Sequence, residues 1–67
     1  MNKIKEYRER VDMTQRELAE YLGTTTQTIS NKENGRTSWN DKEKLEVRKL
    51  FRDKLDPAIT IDELFYS

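Results

Sequence analysis

The chain has 67 residues, among them no cysteine and no histidine, and its 13 basic and 13 acidic residues give a net charge of zero. A chain of this length is expected to form one domain, residues 1–67, with a small core, because it buries only about 60% of its unfolded surface. Without cysteine and histidine, disulfides and thiolate metal sites are excluded and the commonest metal ligand and general base is missing. We therefore expect no enzyme activity, no cofactor and no metal.

The distribution of charge and hydropathy indicates where such a protein works. No apolar run approaches the roughly 18 residues of a membrane span or forms a signal-peptide core, which predicts a cytoplasmic protein without a membrane partner. Residues 55–67 contain three acidic residues and no Lys or Arg, whereas residues 1–10 and 40–54 are rich in basic ones. With its acidic tail turned away from phosphate, such a chain is compatible with DNA binding.

The first predicted helix covers residues 2–10, because Ile4, Tyr7 and then Val11 are spaced for one apolar face. Asp12 and Met13 then link it to the next element.

The second predicted helix has the clearest boundaries in the chain. Thr14 and Glu17 have the spacing of a capping box, so the helix begins at Gln15, and Gly23 ends it as a left-handed cap. The side chains expected to face inward are Leu18, Ala19 and Leu22.

The third predicted helix begins after Thr25 as its N-cap, although Thr24 with Gln27 offers a competing start. In both cases Ile29 faces inward, and the helix ends near residues 34–35.

The fourth predicted helix opens with the capping-box pair Asn40 and Glu43 and continues to about Leu55, before the helix-breaking residues 56–57. Its expected apolar stripe consists of Leu45, Leu50 or Phe51, and Leu55.

A last short helix is predicted to open at Thr60, which has Glu63 at the capping-box distance. The apolar residues around this helix fit either the core or a self-association surface. Because five large apolar groups in so short a segment are many to bury in a small domain, we hypothesise a dimer interface. The interface candidates are Ile59, Ile61, Leu64, Phe65 and Tyr66.

The two helices around Gly23 have the spacing of a helix-turn-helix, the unit that places a helix in the major groove of DNA. The outer face of the third helix supplies the candidate contacts to bases, namely Thr26, Gln27, Ser30 and Asn31. Gln and Asn amides pair with adenine through two hydrogen bonds, although a merely solvated helix start is the alternative interpretation. Candidate phosphate contacts are Gln15, Thr25, Lys32, Arg36 and Thr37.

The segment 14–35 resembles the phage repressor and Cro family of helix-turn-helix proteins, also called the XRE family. It contains Thr-Gln-x-x-Leu-Ala-x-x-Leu-Gly, then Thr-x-x-Gln-Thr-Ile-Ser, and finally Glu-Asn-Gly. The resemblance implies an all-α, lambda-repressor-like bundle of about five helices. It also implies a homodimer on a pseudo-palindromic operator in double-stranded DNA, acting as a repressor in a bacterial or phage-infected cell.

Matching positions carry further implications of this resemblance. Phosphate contacts of the family correspond to Gln15 and Asn34. Its base contacts correspond to Thr26, Gln27 and Asn31. Arg8 and Glu33 correspond to a pair that bridges the first and third helices.

Two features depart from the family pattern. Lys32 stands where relatives carry an apolar residue, so either its stem covers the core with the ammonium free, or Trp39 fills that volume. The segment from residue 35 to residue 61 is also roughly six residues longer than usual, which adds about 9 Å if it is helical.

The expected function is therefore a small Cro-like repressor that binds inverted half-sites on double-stranded DNA as a dimer. One alternative is an antitoxin-type regulator, and another is a protein-interaction module that binds a partner through the C-terminal apolar segment. An antagonist protein is a further candidate partner.

Overall fold

The computed structural model describes residues 2–66, and within that range it contains five α-helices and no strand. The helices are α1 (Ile4–Arg10), α2 (Gln15–Leu22), α3 (Thr26–Glu33), α4 (Asp41–Lys54) and α5 (Ile61–Phe65). This arrangement confirms the predicted all-α bundle. None of these helices combines the length and the hydropathy that crossing a membrane requires.

Side-chain caps set the helix boundaries that the sequence predicts. Thr14, Asn40 and Thr60 each complete a capping box at the start of α2, α4 and α5. The competing start of α3 at Thr24 is wrong, because the Thr25 Oγ1 accepts from the Thr28 N–H at 3.1 Å. Gly23 ends α2 with a φ of 72°, a left-handed conformation that a residue without Cβ adopts most easily.

Helix α1 begins at Ile4, two residues later than predicted. Asn2 remains outside the helix, where its Oδ1 accepts from the Ile4 N–H at 3.1 Å. Its Nδ2 donates to the Lys32 carbonyl at 3.0 Å, and the Lys3 N–H donates to the Leu64 carbonyl at 2.8 Å. The residues before α1 therefore connect the first helix to α3 and α5.

All five helices contribute to one hydrophobic core. The predicted inward residues Leu18, Ala19 and Ile29 are buried in it, and Leu22 packs against it. The remaining buried apolar residues are Ile4, Tyr7, Trp39, Val47, Leu50, Phe51, Ile59, Leu64 and Phe65.

The predicted apolar stripe of α4 is wrong at both ends. Leu45 is 50% exposed and Leu55 is 40% exposed, whereas Val47 is fully buried. Because successive residues of an α-helix are separated by about 100°, positions 45 and 47 lie on nearly opposite faces. Leu50 and Phe51 share the inward face with Val47, and Leu55 follows the helix as its C-cap.

The predicted C-terminal dimer surface is largely part of the core. Ile59, Leu64 and Phe65 are buried, Ile61 is half-buried, and Tyr66 alone among the five is well exposed. The reason is that α5 folds back on the bundle, with the Phe65 ring edge-on to Trp39 at a centroid distance of 5.8 Å. These residues do not form a continuous apolar surface.

Candidate nucleic-acid interface

A buried polar network fixes the positions of α1, α2 and α3. The Arg8 Nε donates to the Glu33 Oε2 at 2.8 Å, and the Arg8 Nη1 donates to the Met13 carbonyl at 2.7 Å. The Gln15 Nε2 donates to the Glu33 Oε1 at 3.0 Å. The predicted bridge between the first and third helices is present, and because it is buried it holds α3 at a defined angle to α2.

Helix α3 presents uncharged polar side chains on its outer face. Thr26 and Gln27 are exposed, and Ser30 and Asn31 are half-buried. The Gln27 Nε2 donates to the Asn31 Oδ1 at 3.1 Å, one helical turn away. All four predicted base contacts therefore lie on the accessible part of one helix, and two of them are directly hydrogen-bonded.

The turn after α3 returns toward the same outer face. Gly35 has a φ of 78°, which allows the Arg36 N–H to donate to the Asn31 carbonyl at 2.9 Å. The Arg36 Nη1 also donates to the Asn31 Oδ1 at 3.4 Å. Arg36 and Thr37 are exposed beside the polar face of α3, in a position consistent with phosphate contact.

Three further predicted phosphate contacts already make hydrogen bonds within the protein. One N–H of the Gln15 amide is used by Glu33, which leaves its second N–H and its Oε1 for other partners. The Thr25 hydroxyl caps α3, and the Asn34 Nδ2 donates to the Ser30 Oγ at 3.4 Å. Gln15 and Thr25 nevertheless stand at helix starts, where backbone N–H groups lack partners within the helix.

Lys32 does not fit its predicted role as a phosphate contact. Its Nζ lies 2.5 Å and 2.6 Å from the two carboxylate oxygens of Glu43, and both side chains are largely buried. The alternative that left the ammonium free is therefore wrong. The alternative in which Trp39 fills the apolar volume is closer, because Trp39 is buried and its ring centroid lies 5.8 Å from the Lys32 Nζ. Glu43 also completes the capping box of α4, where its Oε1 accepts from the Asn40 N–H at 2.9 Å.

Two contacts of this arrangement are not among those predicted from the sequence. One is the Lys32–Glu43 ion pair, which joins residues on different helices and has no local signal. The other is the Gln27–Asn31 bond, which its spacing of four residues within a helix predicts in retrospect.

Comparison with known proteins agrees with this geometry. A family model described as helix-turn-helix matches residues 4–41, which run from the start of α1 to the first residue of α4. None of the curated protein sequences matches the chain. The family match covers more than half of the chain and contains the α2–turn–α3 unit and its polar outer face. The chain therefore belongs to the XRE-type helix-turn-helix family and is a DNA-binding transcription regulator.

Proposed function

We propose that this protein is a small Cro-like repressor that binds an inverted-repeat operator as a homodimer, with α3 in the major groove. The observation that carries the proposal is the hydrogen-bonded amide pair of the exposed Gln27 and the half-buried Asn31, on a helix held by the buried Arg8–Glu33 bridge. Amides on a rigid helix face can discriminate between base edges, because the major groove displays a distinct donor and acceptor pattern for each base pair.

The proposed contacts divide into two groups. Base edges are contacted by Thr26, Gln27, Ser30 and Asn31. Phosphates are contacted by Gln15, Thr25, Asn34, Arg36 and Thr37, without Lys32, whose charge is neutralised by Glu43. Contacts of the second group position the helix and give affinity for any sequence, whereas those of the first group give sequence preference.

The single core of residues 2–66 supports the proposal that the chain acts as one DNA-binding domain. For the dimer, Tyr66 and the accessible part of Ile61 are the predicted interface residues that remain available. A contact limited to so little apolar surface is weak, so we propose that dimerisation occurs mainly on DNA, where two half-sites hold the subunits together. The alternative of a partner protein bound by the C-terminal apolar segment loses most of its surface, because Ile59, Leu64 and Phe65 are buried.

Selection of duplexes from a random pool at near-physiological salt, followed by sequencing, tests the proposal. We expect an enriched inverted repeat and an affinity that falls steeply as salt rises. Each phosphate contact contributes about 0.9 to the slope of the logarithm of affinity against the logarithm of salt concentration. The Gln27→Ala variant should weaken the selected motif while retaining affinity for random DNA. The Gln15→Ala variant should instead lower affinity for all sequences alike. The absence of enrichment at several salt concentrations would exclude sequence-specific binding.

A further inference from the structure

We propose that Arg36 is a positioning residue that decides which atoms of the α3 amides face DNA, and thereby restricts the bases that they accept. This inference rests on the proposed function. The Asn31 Oδ1 is a single acceptor for two donors, the Gln27 Nε2 at 3.1 Å and the Arg36 Nη1 at 3.4 Å.

The guanidinium group determines the orientation of both amides. An Asn or Gln side chain can turn over and exchange its oxygen and its NH₂ group at little cost in shape. A guanidinium has only donors, so the Asn31 atom that faces Arg36 must be the oxygen. The same oxygen lies toward Gln27, and Gln27 must therefore present its NH₂ group to it. The reverse orientation would place the Asn31 NH₂ group against the guanidinium, with two donors in contact.

The backbone keeps Arg36 in reach of this acceptor. The Arg36 N–H donates to the Asn31 carbonyl at 2.9 Å, and the left-handed Gly35 makes this turn possible. Within residues 2–66, no carboxylate lies at salt-bridge distance from the Arg36 side chain to draw it away. The interaction with Asn31 is therefore local and is set before DNA arrives.

This orientation has a consequence for base choice. Gln27 presents its Oε1 and one remaining N–H, so it favours a base with an exocyclic amine in the major groove, either adenine or cytosine. Asn31 presents its Nδ2, which requires an acceptor such as a purine N7, the guanine O6 or the thymine O4. Cytosine, whose major-groove edge offers a donor, is rejected at the Asn31 position.

The test repeats the random-pool selection with wild type, Arg36→Ala, Asn31→Ala and the double variant. We expect Arg36→Ala to reduce two preferences by about tenfold each. These are the selection of an amine-bearing base opposite Gln27 and the exclusion of cytosine opposite Asn31. Because both residues act through the same oxygen, the double variant should lose no more preference than Asn31→Ala alone. Arg36→Lys, whose head group also only donates, should retain the preference. Lys49→Ala removes one exposed positive charge from α4 and serves as the charge control.

A measurement without DNA separates orientation from phosphate binding. In the free protein, ¹⁵N relaxation of the side-chain amides should show that Gln27 and Asn31 are ordered in the wild type and mobile in Arg36→Ala. If Arg36→Ala selects the same motif as the wild type and only binds all duplexes more weakly, this inference is overturned and the proposed function stands. Failure of the wild type to enrich any motif would overturn the proposed function as well.

Discussion

Arg8 and Glu33 form an ion pair between α1 and α3, with the Arg8 Nε 2.8 Å from the Glu33 Oε2 and side chains only 9% and 2% exposed. Each charge has further partners, because Arg8 also donates to the Met13 carbonyl and Glu33 also accepts from Gln15. The network connects the three helices that present the nucleic-acid interface.

Removal of one partner of this pair should destabilise the protein strongly. We expect Arg8→Met to lower the free energy of unfolding by about 3 kcal/mol, because Glu33 then remains buried without its counter-charge. The double variant Arg8→Met/Glu33→Leu should recover at least about 1 kcal/mol of this loss, since it buries no unpaired charge. Urea denaturation followed by circular dichroism measures both. A single variant within about 0.5 kcal/mol of wild type would show that the pair does not stabilise the fold.

Neighbouring aromatic residues at the end of α5 should respond differently to truncation. Phe65 is 8% exposed and packs on Trp39, whereas Tyr66 is 65% exposed. We expect Phe65→Ala to cost about 3 kcal/mol of unfolding free energy, and Tyr66→Ala to change it by less than about 1 kcal/mol. Thermal melts of the two variants provide the comparison. A folded and stable Phe65→Ala variant that no longer self-associates would instead support the original interface prediction.

Lys32 should contribute little to DNA affinity, although it lies on α3. Its ammonium is paired with Glu43, so Lys32→Met should change affinity for the selected duplex by less than about twofold and leave the salt slope unaltered. The matched comparison is Arg36→Ala, which should lower the slope by about 0.9 if Arg36 contacts phosphate. Affinity measured at several salt concentrations distinguishes the two variants. A lower salt slope for Lys32→Met than for the wild type would support the original prediction that Lys32 contacts phosphate.

The bond from the Tyr7 hydroxyl to the Glu63 Oε2, 2.6 Å long, predicts a pH dependence of stability. It holds the pKa of Glu63 below its usual 4.5 and, together with burial, raises the pKa of Tyr7 above its usual 10.0. The contribution of Glu63 is present above the pKa of its unfolded state and is lost as pH falls through the folded value. The contribution of Tyr7 is present below pH 10.0 and is lost as pH rises through its raised pKa.

The variant Tyr7→Phe isolates this bond. The difference in unfolding free energy between wild type and Tyr7→Phe should be constant around neutral pH, and it should shrink in acid below the usual pKa of Glu63 and in alkali above that of Tyr7. Urea denaturation of both proteins across this range measures the difference at each pH. A difference that is the same in acid and at neutral pH would contradict the assigned partner.

The sequence by itself determined the starts of α2, α4 and α5, the end of α2 and the family, because capping boxes, the left-handed Gly23 and the motif from Thr14 to Gly35 act over a few residues. It also placed Arg8 opposite Glu33, through the resemblance. It could not determine the inward face of α4, since the apolar residues of that helix fit two phases and only packing against α1 and α5 selects Val47 over Leu45.

Tertiary structure also decided the fate of individual side chains. The burial of Phe65 depends on where α5 folds back, and the pairing of Lys32 with Glu43 depends on the angle between α3 and α4. Such contacts join residues that are distant along the chain, and their free energy depends on burial and geometry that no local pattern encodes. Arg36 and Asn31 lie close in sequence, yet their bond required the path of the turn at Gly35, which fixes where the guanidinium group points.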